Sequence, residues 1–214
     1  MSTLMRAPRE CGSWSWDLDG IASPGLASAL AVAARMAEVL AKHSLLVPST
    51  IEYGWYIPGG GGIGITTTLC LSTQLGDPEL VDGVLQSRPV GFQTAEVDDI
   101  RVLGSGLWVD ADGQQHRESG LLELEVSPVP IGLTAEVAVF HDIWTWYDFS
   151  GRPHPEVQRR NAPRLAAALR ALDSLLGTKA EPGEPTYFGA AEGYGVQAAE
   201  PSADGSGPDL TDRL

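Results

Sequence analysis

Residues 50–71 read TIEYGWYIPGGGGIGITTTLCL, and this stretch decides the fold. Hydrophobic residues alternate with polar or small ones on both sides of the four glycines at 59–62. Alternation with a period of two is typical of a strand that has one buried face, and a glycine-rich tip lets the chain reverse. The stretch therefore predicts an antiparallel hairpin.

The segment before the hairpin predicts a long helix. Ser23 is a good N-cap, Pro24 suits the first helical position, and the helix should end near Lys42. Its polar residues form one narrow stripe, so most of its surface should be buried against a sheet. The stripe consists of Ser28, Arg35, Glu38 and Lys42.

The segment after the hairpin predicts a short helix and a second set of strands. Asp77 and Pro78 have the pattern of a cap and a first helical residue. Strands follow from about Val97, with a hairpin turn at Asp112-Gly113 and a return strand that ends before Pro128.

The last strand should be long, from Ala135 to about Trp146. This strand would place His141 on its apolar face and Asp142 and Trp144 on the other, and a histidine in that phase is more often a core residue than a base. Cys70, between two leucines of the hairpin, is expected to be buried.

The final helix ends at Gly177, a natural residue for the position after a helix. Its start is open: it begins either near Pro155, with Pro163 inside it, or at Pro163 after an Asn161 cap. Together these elements predict an α+β fold, with a mainly antiparallel sheet of about five to six strands packed by an N-terminal and a C-terminal helix.

Composition divides the chain into three parts. Residues 1–176 should form one α+β domain. Residues 177–200 contain three aromatics among turn residues, which suggests an extended strap with aromatic anchors. Residues 201–214 offer almost nothing to bury and predict a flexible acidic tail.

The charge excludes some partners. The formal net charge is −14, the wrong sign for holding a phosphate backbone, so a nucleic acid partner is not expected. No apolar run is long enough for a membrane span and no leader pattern is present, which indicates a cytoplasmic protein without a membrane partner. Two cysteines fit a reducing compartment.

Catalytic and metal motifs are not evident. The glycine run at 59–62 lacks the Gly-Lys-Ser/Thr of a phosphate loop, and the four histidines have no metal-ligand spacing. We therefore expect no catalytic residues, no metal and no cofactor. Asp110, Asp112 and Glu118 leave a weak ion site open, although turn chemistry is the favoured interpretation of these aspartates.

A contact surface is indicated by acids and aromatics. Between 77 and 148 there are fourteen acidic residues and three arginines. The alternating acids of the late strands should share an outer face, and clustered aromatics beside acids are suited to recognition. The expected partner-binding residues are Trp55, Tyr56, Glu123, Glu125, Glu136, Asp142, Trp144 and Trp146.

The last third of the chain carries a resemblance. The segments WYDFSGRPHP (146–155), NAPRLAAAL (161–169) and PTYFG (185–189) are similar to small acidic bacterial proteins, some of which resemble the immunity proteins of toxin systems. The resemblance implies an immunity-like role and places Tyr187 and Phe188 in an ordered strap.

The sequence therefore predicts a non-enzymatic acidic binding protein, of the immunity or inhibitor kind, that neutralises a basic partner such as a toxin. Two alternatives stay open: a small-molecule-binding domain or enzyme with a pocket between the sheet and the first helix, and an adaptor subunit of a larger bacterial assembly. The sequence also leaves the oligomeric state open.

Overall fold

The computed structural model describes residues 4–128, 132–198, 201 and 205–214. Three α-helices are present in these ranges: α1 (Leu26–Lys42), α2 (Pro78–Gln86) and α3 (Pro155–Leu176). The strands are β1 (Gly12–Asp17), β2 (Val47–Ile57), β3 (Gly61–Cys70), β4 (Glu96–Val109), β5 (Gln115–Ser119), β6 (Leu122–Ser127), β7 (Thr134–Val139), β8 (Glu181–Pro182), β9 (Ala190–Glu192) and β10 (Gly195–Gln197).

Eight of these strands form one antiparallel sheet. The order is β3-β2-β4-β6-β7-β1-β8. The remaining strand, β5, also pairs with the long strand β4, and β9 and β10 form a separate hairpin. The α+β class and the antiparallel sheet are confirmed. The sheet has more strands than the five to six expected, because β1 and β8 were not anticipated.

The helices cover only one face of the sheet. Inward side chains from β1, β2, β4, β6 and β7 form one core with α1, α2 and α3. Four tryptophans are among its largest fully buried side chains: Trp14, Trp16, Trp55 and Trp144. The opposite face carries no described helix, and its glutamates are partly exposed. None of the described helices has the length and apolarity needed to cross a bilayer.

The predicted hairpin is confirmed: β2 pairs with β3, with Thr50 opposite Cys70 and Tyr53 opposite Thr67. The cap of α2 is also confirmed, since the Asp77 side chain accepts the N–H of Glu79 at 2.9 Å. The Ser23 cap is wrong: α1 begins at Leu26 after Gly25, whose φ of 110° breaks the helical geometry. The expected burial of Cys70 is wrong as well, because it lies on the open side of the edge strand and is exposed.

The long last strand is wrong beyond Val139. After β7 the chain makes a bridge between Arg6 and His141 and then a 3-10 turn over Asp142–Trp144. Within this turn Asp142, Ile143 and Trp144 are all buried, although they are adjacent in sequence. A strand would send neighbours to opposite faces, whereas the turn directs all three into the interior.

Helix α3 begins at Pro155 and contains Pro163, which settles the choice left open above. Asn161 is fully buried and lies inside the helix rather than capping it. Its carboxamide accepts the Val109 N–H at 2.9 Å and donates to the Val109 carbonyl at 2.7 Å. The same amide donates to the Val157 carbonyl at 2.8 Å. One side chain thus replaces a strand partner at the end of β4.

We expect Asn161→Ala to lower the free energy of unfolding by about 2 kcal/mol, because it leaves the N–H and C=O of Val109 without a buried partner. Asn161→Asp is the matched control: it keeps the acceptor for the Val109 N–H but removes the donor for its carbonyl. Urea titration monitored by circular dichroism measures both variants. An alanine variant as stable as the parent would show that water replaces the amide.

The strap and the end of the chain both contact the body. Phe188 is buried, and the Tyr194 hydroxyl donates to Asp173 at 2.6 Å, whereas Tyr187 is exposed. The Leu210 N–H donates to the Phe149 carbonyl at 2.7 Å. Residues 205–214, part of the tail expected from composition, contact the body through backbone hydrogen bonds, which need no apolar side chains. The part of that expected tail at 202–204 lies outside the described residues.

Candidate functional site

The open side of the sheet carries a group of acids that we call the acidic face. It consists of Glu52 on β2, Asp99 on β4, Glu123 and Glu125 on β6, and Glu136 on β7. Antiparallel register aligns Glu52, Arg101, Glu125 and Glu136 in one row across four strands. Alternation on β6 and β7 therefore does place the three predicted glutamates together.

Two arginines lie among these acids. Arg101 donates to Glu52 at 3.3 Å through Nη1 and to Glu125 at 3.2 Å through Nε. Arg6, from the segment before β1, donates to Glu123 at 2.8 Å. No described cation lies within ion-pairing distance of Glu136, so negative charge is in excess on this face.

Two of these acids have raised pKa values. Burial, followed by the charge of Asp99, raises the pKa of Glu125 even though Arg101 opposes the shift. Burial also raises the pKa of Glu136, followed by the charges of Glu125 and Glu10. Glu125 and Glu136 stand directly opposite each other on paired strands, an arrangement that destabilises like charges. Burial is the main cause of both shifts, and the neighbouring carboxylates add to it.

A β-bulge adds two further carboxylates. Asp98 and Asp99 are neighbours and would point to opposite faces on a regular strand. The register shift opposite Gly54 instead lets both line one groove of about 190 Å³ together with Glu52 and Arg101. Asp99 also accepts a hydrogen bond from Ser127.

A second groove of about 350 Å³ adjoins the first at Arg101. Glu123, Glu125 and Glu136 form its floor with Ala138, and Arg6, Pro8 and Phe140 line its end. The guanidinium of Arg6 lies 4.8 Å from the centre of the Phe140 ring. Carboxylates beside an aromatic ring and short aliphatic groups are suited to a lysine or arginine side chain.

The predicted aromatic part of the contact surface is mostly absent. Trp55 and Trp144 are 2% and 0% exposed, and Asp142 is 1% exposed, so these three residues are not available to a partner. Trp55 donates to Thr67 at 2.8 Å from within the core. Trp55 was expected to contact a partner beside the glycine-rich tip, but it occupies the inward phase of β2, and the other two residues lie in the 3-10 turn.

Tyr56 and Trp146 remain at the surface. Tyr56 lies on the open side of β2, where its hydroxyl donates to Glu96 at 2.9 Å; burial and this acid raise its pKa to about 12. Trp146 is 48% exposed in the loop between the 3-10 turn and α3. Of the four aromatic residues predicted to bind a partner, Tyr56 is the one that shares a face of the sheet with the glutamates.

The aspartates considered for a weak ion site serve the turn. Asp110 accepts the N–H groups of Asp112 and Gln114 at 3.0 and 2.8 Å, and it also contacts His116 at 2.7 Å. Its oxygens are thus occupied by the turn that ends β4. Within the described ranges no three His, Cys, Asp or Glu side chains are grouped as metal ligands would be.

A larger groove of about 630 Å³ lies between α1 and the connection from β3 to α2. This is near the place expected for a pocket between the sheet and the first helix. Its helical wall consists of Ala34, Ala37, Glu38 and Ala41. Of its two carboxylates, Asp77 already caps α2, so the groove presents little convergent polar chemistry.

Comparison with known proteins adds no relative: no family model, curated protein or solved structure matches the chain at a significant level. Fold and site together define a class, a two-layer α+β protein with an open acidic sheet face.

Proposed function

We propose that the acidic face binds a basic surface of another protein, and that the chain is a non-enzymatic binding protein of the inhibitor or immunity kind. The observation that carries this proposal is the direct opposition of Glu125 and Glu136, with no cation paired to Glu136 among the described residues. This repulsion is a cost in the free protein that a bound ammonium or guanidinium group removes.

The grooves supply the shape for such a group. A lysine or arginine side chain entering the groove beside Phe140 would reach Glu123, Glu125 and Glu136 together. Arg101 separates this groove from the one at Asp98 and Asp99, so two cations of the partner would be held on either side of it. Charge-assisted hydrogen bonds of this kind favour specificity, and the wider negative field accelerates encounter.

The test is the triple variant Glu123→Gln, Glu125→Gln and Glu136→Gln. Titration with an octapeptide of lysine and arginine, followed by amide NMR shifts, should map onto β4, β6 and β7 of the parent protein. We expect the variant to bind at least about tenfold more weakly, since it loses three charged partners. Its stability should be unchanged or higher because repulsion is removed.

The matched control removes the same charge elsewhere: Glu79→Gln, Glu184→Gln and Glu192→Gln, three exposed acids outside β2, β4, β6 and β7. It should bind the peptide within about twofold of the parent if the location of the charge matters. Equal weakening by both triple variants would overturn the proposal, because peptide binding would then follow the net charge of the protein and not the acidic face.

A further inference from the structure

The two edges of the sheet are built differently. One edge is β8, only two residues long, and its second residue is Pro182. The other edge is β3, ten residues long and without a charged residue or proline. Edge strands of monomeric proteins are normally kept short or protected by charge and proline, because bare backbone groups recruit another strand. β3 lacks these protections.

The hydrogen-bonding groups of β3 can be assigned to its two sides. The Leu71 N–H donates to the Ser49 carbonyl, so odd-numbered residues near this end are bonded to β2. By alternation, the N–H and C=O groups of Thr66, Thr68 and Cys70 point away from the sheet. No other described strand pairs with this side of β3.

The helix side of β3 is also incompletely covered. On neighbouring β2 the inward residues Ile51, Tyr53 and Trp55 are buried. On β3 the corresponding residues Ile65 and Leu69 are only partly buried, although they pack against the same core. The helical layer ends above β2, and apolar area on the edge strand remains in contact with water.

We propose that a second copy of this chain pairs antiparallel with β3 about a two-fold axis near Thr68. Regular pairing over residues 65–71 is self-complementary: Ile65 faces Leu71 of the second copy on the helix side, and Thr66 faces Cys70 on the open side. Gly64, with a φ of +70°, ends this regular stretch. The dimer satisfies the outward backbone groups and completes the apolar layer.

Charge restricts the surface through which a second copy could approach. The chain carries −14, so two copies repel one another over most of their surface. β3 provides an approach without charged side chains, whereas a basic partner is attracted to the acidic face instead. The axis of an antiparallel strand pair is perpendicular to the sheet, so the two acidic faces would lie on the same side of the dimer and form one broader surface.

The test is the molar mass in solution, measured by sedimentation equilibrium from about 5 to 200 μM on the full chain. We expect a dimer for the parent protein and for Thr68→Ala, which keeps the backbone donor. Thr68→Pro should be monomeric, because it removes an outward N–H that β2 does not use and places a ring at the axis. Circular dichroism checks that the proline variant is folded.

Thr68→Lys is a second disrupting variant in case the proline variant fails to fold. It places two lysines directly opposite across the axis, while within one chain the lysine stands beside Glu52. It should dissociate at least tenfold more readily than Thr68→Ala. A parent protein that stays monomeric up to 200 μM, or a folded Thr68→Pro or Thr68→Lys variant that dimerises as tightly as the parent, would overturn the proposal.

Discussion

Gly106→Ala is expected to lower the free energy of unfolding by about 3 kcal/mol, because the added methyl group would overlap its neighbours. A Cβ at this position would lie 2.3 Å from the Leu45 carbonyl oxygen and 2.7 Å from Cδ2 of Leu121. The Leu121 side chain can rotate, but a backbone carbonyl can move only with its segment.

That segment is held firmly on both sides. The Leu107 N–H donates to the Ser44 carbonyl at 2.8 Å, and Arg164 donates to the carbonyls of His43 and Ser44 at 2.9 and 3.1 Å. Relief of the clash therefore requires breaking hydrogen bonds that join α1, β4 and α3. We expect the cost to appear mainly as a loss of stability.

Gly83→Ala is the matched control, because it adds the same methyl group where nothing lies within 4 Å. Gly83 is inside α2, so alanine should raise stability by about 0.5–1 kcal/mol through its higher helix propensity. Urea unfolding of the parent and both variants measures the difference. Two alanine variants that shift stability in the same direction would contradict this account of β4.

The parts of the fold that sequence predicts are those coded locally. The β2–β3 hairpin follows from alternation around a glycine tip, and the cap of α2 follows from the Asp77-Pro78 pair. The turn at Asp112-Gly113 is similar, since Gly113 has a φ of +88°. In each case neighbouring residues determine the geometry, and no distant partner is needed.

The parts that sequence missed depend on distant contacts. β1 alternates Trp14 and Trp16 with serines, which is a short local strand signal. Its partner β7 is more than one hundred residues away in the chain. The end of β7 was missed because His141 and Asp142 leave the strand to meet the segment at Met5 and Arg6, which no local pattern indicates.

The candidate site also combines features that the local sequence predicts with features that depend on distant contacts. Glu123, Glu125 and Glu136 could be placed on one face because period-two alternation on β6 and β7 is a local property. The groove at Asp98 and Asp99 could not, because a bulge opposite Gly54 reverses the phase of the strand. Whether an aromatic is exposed depends on where the helices lie, so the sequence could not show that Trp55 is buried.

The buried neighbours His141 and Asp142 carry the second large prediction, which concerns pH. Burial, opposed by the Met5 N–H, raises the pKa of Asp142 from 3.8 to about 7, with the charge of Asp148 adding to the rise. Its folded form binds the proton more tightly than the unfolded form does. The stability contributed by Asp142 is therefore full below about pH 4 and is lost as the pH rises to about 7.

His141 acts in the opposite sense. Burial and the nearby charge of Arg6 lower its pKa from 6.5 to about 4. Its folded form resists protonation, so its contribution is full above about pH 6.5 and is lost as the pH falls toward 4. Between pH 4 and 6.5 the two residues change the free energy of unfolding in opposite directions. This pair should therefore give the stability of the parent protein little net pH dependence.

Single variants should reveal the pH dependence of stability that each residue contributes. Relative to the parent, Asp142→Asn should gain stability with rising pH between 4 and 7, and His141→Gln should lose stability with rising pH between 4 and 6.5, by up to about 3 kcal/mol in each case. Urea unfolding at fixed pH values gives these differences, and groups common to all variants, such as Glu125 and His154, cancel from them. The double variant should run parallel to the parent over pH 4–6.5, because opposite slopes are removed together. Single-variant curves parallel to the parent would mean that neither group is held in the unusual protonation state that its burial implies.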